Sequence, residues 1–510
     1  MTSKSYSERL AKGAVIIFVF TLLANFIGYL VRFFLTRQLN VADYGLFYSL
    51  LSFVSLFIIF SDPGFGSALV KFIPEFLAKK DYSKLKSLVA FIFGIRFVLS
   101  LSVAVLIFSF SDYFALNLFH SLDVSPLIKI FSLFFFIDSF ISFETTFFTG
   151  FQRPFHFSSI PFLKNLTFFL LLLLITPLNI EKTIYAFLFS SFMVSTFFLP
   201  SVFWTLKKNL KWKVKKIKIT RKFIKTITSF AIPVFFGAIA YSIIGYTDTI
   251  MLTFFRSLEE VGYYQVALPT SRLLWVIVFS LTTLLFPMSS ELWASNKKHI
   301  LSKGLTIITK ISFMIMVPAV LITIAFARFI LDIFFGATYI TATACLQILS
   351  LAALFFLIRA IFSSVLVGIG QPIVNTKVGI FMAIFNVIAN LILIPIYGIV
   401  GAAAATTTSF LFGAIISFFY IRKFITFKMP FVSLIKSLFN GFLTLATISY
   451  LKQVINIPPI QEAALLSIVA VVVYIFLTVI SKNIRKQDIK ILRKANIRIP
   501  KKIWTVLVGQ

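Results

Sequence analysis

Charged side chains are costly inside an apolar helix, and this sequence places seven of them in long apolar runs: Arg32, Arg96, Asp138, Glu144, Asp248, Arg272 and Arg359. At mid-depth in a bilayer each ionised group costs about 2.5–3.5 kcal/mol, so groups kept there are candidates for binding or ion coupling. The arginines suit a phosphate. A planar guanidinium grips two phosphate oxygens at once and keeps its charge when partly desolvated. Asn25 joins them, because Thr21, Asn25, Gly28 and Arg32 are spaced 4, 3 and 4 and share one helical face. Gly237, Tyr241, Gly245 and Asp248 make a corresponding stripe. Close helix packing would use the same small residues. Asp138, Glu144 and Asp248 are either coupling-ion carboxylates or partners for arginine, with Arg96–Asp138 and Arg272–Asp248 the expected pairs. Asp62 belongs with them, beside Pro63, Gly64 and Gly66 in an expected helix break. Arg359 lies nearer an inner helix end, where a lipid headgroup is its expected contact. Asn386 and Asn390, at i and i+4, read first as interhelical hydrogen bonders.

The elements that must position these groups are membrane helices. Hydrophobic residues make up 59% of the 510, charged residues only 13%, and the mean hydropathy is +0.99. A soluble domain needs about 25% charged residues. Apolar runs near 20 residues recur from end to end, the length that crosses about 30 Å of hydrocarbon. Fourteen spans are predicted: 14–35, 45–70, 87–110, 127–150, 156–176, 183–205, 228–254, 262–288, 305–327, 342–367, 373–394, 398–420, 432–451 and 462–481. The split of 373–420 rests on Pro395 and Gly398. With both termini inside, roughly 38 of the 48 basic residues fall in inner segments, Lys71 to Lys86, Arg153 and Lys164, and the run 207–225 among them. The net charge of +31 is then topology and attraction to anionic inner-leaflet lipid, with Trp212 and Trp504 as anchors, and nucleic acid is not an expected partner.

One cysteine, three scattered histidines and the absence of H-E-x-x-H, D-x-D or G-x-x-x-x-G-K-[ST] patterns leave no expected metal, cofactor or ATP site. Loops are too short to hold a catalytic domain, so the chain is not expected to be an enzyme. The first helix is expected to be retained, with no cleaved signal.

A repeat organises the whole. Ile27 to Leu46 returns as Ile244 to Tyr263: Ile27-Gly28-Tyr29 falls on Ile244-Gly245-Tyr246, and Gly45 on Gly262. Gly150 and Pro154 pair with Gly368 and Pro372, and Pro177 with Pro395, at a spacing of 218. Six spans separate equivalent positions, so the copies sit the same way up, a parallel repeat. The expected fold is an all-α polytopic membrane protein: an N-lobe (1–206), a basic cytoplasmic linker (207–227), a C-lobe (228–424), two further helices (425–481) and a basic tail (482–510).

This plan resembles the multidrug/oligosaccharidyl-lipid/polysaccharide (MOP) exporter superfamily, and within it the Wzx-like polysaccharide biosynthesis flippases. The text that carries the resemblance is RFFLTRQLNVADYGLFYSLLSF, SDPGFGSALVKFIPE and TGFQRP, echoed by DTIMLTFFRSLEEVGYYQVALP and GIGQP. The resemblance implies a V-shaped pair of six-helix lobes that moves lipid-linked saccharides across the cytoplasmic membrane of a prokaryote by alternating access. Glycosyltransferases or a polymerase are the implied pathway partners, and the chain is expected to act as a monomer. Lipid II flippases of the superfamily carry arginines on the first helix, where Arg32 stands here, although nearer the outer end. The alternative is a drug or metabolite antiporter of the same fold, and a membrane-embedded glycan polymerase would want larger outer loops.

Overall fold

The computed structural model describes residues 3–210, 217, 219–282, 285–455 and 457–483, with side chains from Lys12 onward apart from 210 and 281. Lys4, Arg9, Trp212 with the rest of linker residues 210–216 and 218, and Trp504 with nearly all of the tail lie outside the described side chains. The described residues form helices and no strand. In chain order they are α1 (Ser3–Gln38), α2 (Val41–Ser61), α3 (Phe65–Ala78), α4 (Tyr82–Ser109), α5 (Ser111–Leu118), α6 (Ser125–Gly150), α7 (Pro154–Leu174), α8 (Ile180–Leu210) and α9 (Arg221–Phe255). Then come α10 (Leu258–Arg272), α11 (Trp275–Thr282), α12 (Leu285–Ala294), α13 (Lys298–Ala325), α14 (Ala327–Phe335), α15 (Thr343–Gly368), α16 (Pro372–Phe424), α17 (Phe431–Val454) and α18 (Pro459–Ile480).

The duplication shows in the element boundaries. α4 and α13 begin and end 216 residues apart, at 82/298 and 109/325. α6 and α15 do so at 218, with 125/343 and 150/368. α2 and α10 start 217 apart, at Val41 and Leu258. Packing repeats too. A Cβ on Gly150 would come within 3.0 Å of the Leu69 carbonyl oxygen, and one on its equivalent Gly368 within 2.9 Å of the Phe286 carbonyl oxygen, 217 residues after Leu69. Glycine is therefore needed at both places for the end of a long helix to lie on a short one.

Thirteen helical stretches among the described residues are long and apolar enough to cross a membrane. One of them, α16, has 53 residues, about 80 Å at 1.5 Å per residue, far beyond one bilayer core. It is broken at Gly398, whose φ of 54° and ψ of −131° leave the helical region. The halves fold back side by side: Phe385 stacks on Phe412 with centroids 4.6 Å apart, and Asn386 Nδ2 donates to Thr406 Oγ1 at 3.4 Å. The Pro395–Gly398 breaker thus acts as the sequence predicts, as a tight helical turn. The predicted second span is also broken, between α2 and α3, where Asp62, Pro63 and Gly64 interrupt it and Gly64 has φ 83°.

By packing, the chain divides into two compact units, Met1–Gly262 and Tyr263–Gln510. The first holds α9 as well as α1–α8, because α9 packs on α2. Ser49 and Thr253 share a 2.8 Å hydrogen bond, and Gly64 lies against the Ala231 carbonyl. Inside this unit the two repeat-equivalent segments meet reciprocally. A Cβ on Gly45 would sit 1.9 Å from the Leu258 carbonyl oxygen, and one on Gly262 would sit 2.5 Å from that of Val41. Val41 and Leu258 are themselves equivalents, so this contact has local two-fold symmetry.

Candidate functional site

In the first unit, Arg32 lies half-buried on α1 with its guanidinium carbon 4.0 Å above the Tyr48 ring. Its Nη1 also donates to Tyr44 Oη at 3.4 Å. Tyr44 and Tyr48 come one turn apart from the buried face of α2, with ring centroids 4.8 Å apart. The start of α2 is fixed by Asn40, whose Oδ1 accepts from the Asp43 N–H at 2.7 Å. Asn25 and Thr21 are exposed on the same helix, whereas Gly28 packs on Asn165, and Asn165 Nδ2 donates to the Ala24 carbonyl at 2.9 Å. The stripe therefore divides: Gly28 serves helix packing, while Asn25 stays open. In the second stripe Tyr241 is exposed and Asp248 is buried in α9, so those positions share no common environment.

Arg96, on α4, is only 2% exposed and is held from both ends. Its Nη2 lies 3.4 Å from Asp62 Oδ2, and its Nη1 donates to Thr146 Oγ1 at 3.3 Å. The α2–α3 break is what brings Asp62 there, since its carboxylate accepts the Gly66 N–H at 2.9 and 3.2 Å. A Cβ on Gly66 would come within 2.6 Å of that carboxylate. The ion pair of Arg96 is therefore with Asp62, where the sequence suggested Asp138. Asp138 interacts electrostatically with Lys164 first, then with Arg96 and Asp62. Lys164, counted among the inner basic residues but also inside the predicted span 156–176, stands ten residues into α7, about 15 Å along the helix. Its Nζ lies 4.6 Å over Phe134 and 4.5 Å over Phe187. Asp138 and two aromatic faces make an interior position tolerable for it.

Glu144 is fully buried in α6. Its Oε1 accepts from Ser195 Oγ at 3.4 Å, and its Oε2 has no hydrogen-bond partner in the protein. No group of three or more potential metal ligands occurs among the described residues.

In the second unit, Arg272 ends α10 with its guanidinium carbon 5.2 Å over Trp275. Trp275 stacks on Phe356 at 4.1 Å, and Phe410 closes the cluster edge-on to both. Arg359 is half-buried on α15. Asn386 and Asn390 are buried and bonded to each other at 3.1 Å, the packing role expected of them.

The sequence did not point to Tyr44 and Tyr48 as partners of Arg32, although their i, i+4 spacing on the second span was a usable signal. Nor did it single out Lys164. A lysine centred between ends as well defined as Pro154 and Pro177 is the feature that marks it.

The polysaccharide biosynthesis protein family model matches residues 10–293, more than half of the 510. The chain belongs to this family. A MatE model also matches residues 233–396. The chain is thus a multi-pass membrane protein of the MOP superfamily, on the Wzx-like branch. It is 30% identical over 464 residues to uncharacterized membrane protein MJ1068 of Methanocaldococcus jannaschii, covering 89% of this chain and 92% of that one. It is 27% identical over 221 residues to the probable flippase AglR of Haloferax volcanii, across 42% and 45% of the two chains. Among solved structures it resembles the lipid II flippase MurJ in an inward closed conformation, with TM-score 0.75, 17% identity and coverage of 92% and 98%. It also resembles an inward-facing MATE multidrug transporter, with TM-score 0.64, 16% identity and coverage of 75% and 93%. At these identities the structural likenesses establish the fold.

Proposed function

We propose that the protein is a flippase that carries polyprenyl-diphosphate-linked saccharides across the cytoplasmic membrane by alternating access, for surface glycan assembly. The observation that carries this reading is an arginine laid on an aromatic face within the helices of each unit: Arg32 on Tyr48 and Arg272 on Trp275. Family membership and the relative named as a probable flippase support it. A saccharide exposes many hydroxyls, each costing several kcal/mol unpaired in hydrocarbon, and a diphosphate costs far more, so unassisted crossing is negligible. Arg32 and Arg272 would hold the diphosphate, with Arg359 and Asn25 as further contacts, while the polyprenyl chain stays in lipid. Arg96 ranks behind them because Asp62 and Thr146 already engage both its terminal nitrogens. Asp138, Glu144 and Asp248 are the candidates for a coupling ion. In this reading the chain crosses fourteen times with both ends cytoplasmic, and enzymes that build or polymerise the glycan are its pathway partners.

The test is transfer of a fluorescent short-chain polyprenyl-diphosphate saccharide across reconstituted vesicles, scored by protection from an impermeant quencher. Arg32→Ala and Arg272→Ala should each lower the rate at least tenfold while costing no more than about 0.5–2 kcal/mol of stability in detergent, the scale of a cation–π contact. Wild-type rates in both variants would remove the reading. The MatE match favours a second one, a cation-coupled antiporter. Protection of cells from cationic dyes by expression of this chain would establish it.

A further inference from the structure

The first unit contains a cavity of about 630 Å3 that the transport reading does not use. It lies where α4 and α8 part over α6. Its walls are apolar: Val89 and Phe93 from α4, Phe143 from α6, and Leu199, Val202 and Phe203 from α8. From Lys86 to Phe93 the α4 wall runs seven residues, about 10 Å at 1.5 Å per residue. The volume is in the range of about 300–1,000 Å3 that encloses small-molecule ligands.

The mouth differs from the walls. Lys86 and Lys207 line one end, and Trp204 stands beside them. The Trp204 ring gathers two more cations, with the Arg153 guanidinium carbon at 4.9 Å and Lys208 Nζ at 5.0 Å. Among the described residues, no acidic side chain lines the cavity. An apolar slot about 10 Å deep, with two lysines and an indole at one end, has the polarity of a single lipid leaflet. Indole rings settle at the headgroup level, and clustered lysines attract anionic headgroups there. Apart from Ile217, the lining residues come from three packed helices, so the slot is pre-formed.

We propose that this groove binds one anionic phospholipid from the surrounding membrane, an acyl chain between α4 and α8 and its headgroup phosphate at Lys86 and Lys207. Lysine serves as a point charge for a phosphate that needs no fixed orientation. Neither Arg32 nor Arg272 lines this groove, so the proposal stands whatever substrate the protein moves.

The experiment uses the full chain in nanodiscs, with Trp212, Trp275, Trp293 and Trp504 replaced by Phe so that Trp204 alone reports. Phosphatidylglycerol or phosphatidylcholine brominated on the acyl chain is titrated as the quencher. Phosphatidylglycerol should quench Trp204 at no more than one fifth the mole fraction that phosphatidylcholine needs. Lys86→Glu with Lys207→Glu should abolish that preference, and reversing Lys298 and Lys303 in the second unit should not. Ala90→Phe, which fills the slot and leaves the lysines, should weaken quenching by both lipids. Native mass spectrometry of the unaltered protein checks the same point without the tryptophan changes, as retained phosphatidylglycerol lost on the double reversal. Equal quenching by the two lipids would overturn the proposal, as would a preference that survives the reversal. Trp204 untouched by either lipid, the result if the chain's own linker fills the groove, would overturn it too.

Discussion

The two units handle intramembrane charge differently. Beside Arg32 on its tyrosine ring, the first also sets acid against base, with Arg96 bridging Asp62. The candidates of the second, Arg272 and Arg359, are both cationic, and Arg272 rests on an indole rather than a carboxylate. An ion pair in a poorly solvated interior fixes geometry, because separating it leaves a charge without compensation. A cation on an aromatic face is held more weakly and can turn to an arriving anion. The contrast teaches that burial alone does not mark a binding arginine. Arg96 is the most buried of the four, and Asp62 and Thr146 engage both its terminal nitrogens.

The sharpest way to break this comparison is Arg96→Ala. It strands Asp62 beside α3, and the expected loss is about 3–5 kcal/mol of stability, read as a lowered thermal transition in detergent. If Arg96→Ala unfolds like wild type, the pair is not structural and Arg96 returns to the binding candidates. Next come Gly45→Ala and Gly262→Ala. Each pushes a methyl into a backbone carbonyl of the equivalent segment, so each should cost about 1–3 kcal/mol, and unequal costs would break the local symmetry. Smaller again is Arg272→Ala, about 0.5–2 kcal/mol in stability, the scale of a cation–π contact. A loss as large as that of Arg96→Ala would erase the distinction between the units. Smallest is Glu75→Gln, outside the spans. The Lys79 ammonium hydrogen-bonded to Glu75 holds its carboxyl below the usual carboxylate range. Its contribution is thus present above the ordinary carboxylate pKa and fades as pH falls through the lowered folded value. For an exposed i, i+4 pair it amounts to about 0.3–0.5 kcal/mol, so the variant should flatten the acid limb of the unfolding curve only slightly.

Much of this was legible in the sequence. Helix existence follows from apolar runs of bilayer length, a local and cumulative property. The α2–α3 break and the α16 turn follow from Pro and Gly, which restrict or free the backbone wherever they stand. The duplication follows from matched glycines and prolines, and the element boundaries repeat it at 216 to 218 residues. What contacts a given side chain was not legible. Thr21, Asn25, Gly28 and Arg32 share a face on paper, yet Gly28 abuts Asn165, 137 positions away, while Asn25 stays exposed.

The sequence by itself determined that this chain spans a membrane, that it is built twice, where its helices break, and which charges lie within them. Those properties depend on residue type and on spacing along one helix. Only the tertiary structure decided that Arg96 takes Asp62, that Lys164 lies over Phe134 and Phe187, and that α9 packs with the first unit. Each depends on the rotation of one helix against another, which side-chain packing fixes and composition does not encode.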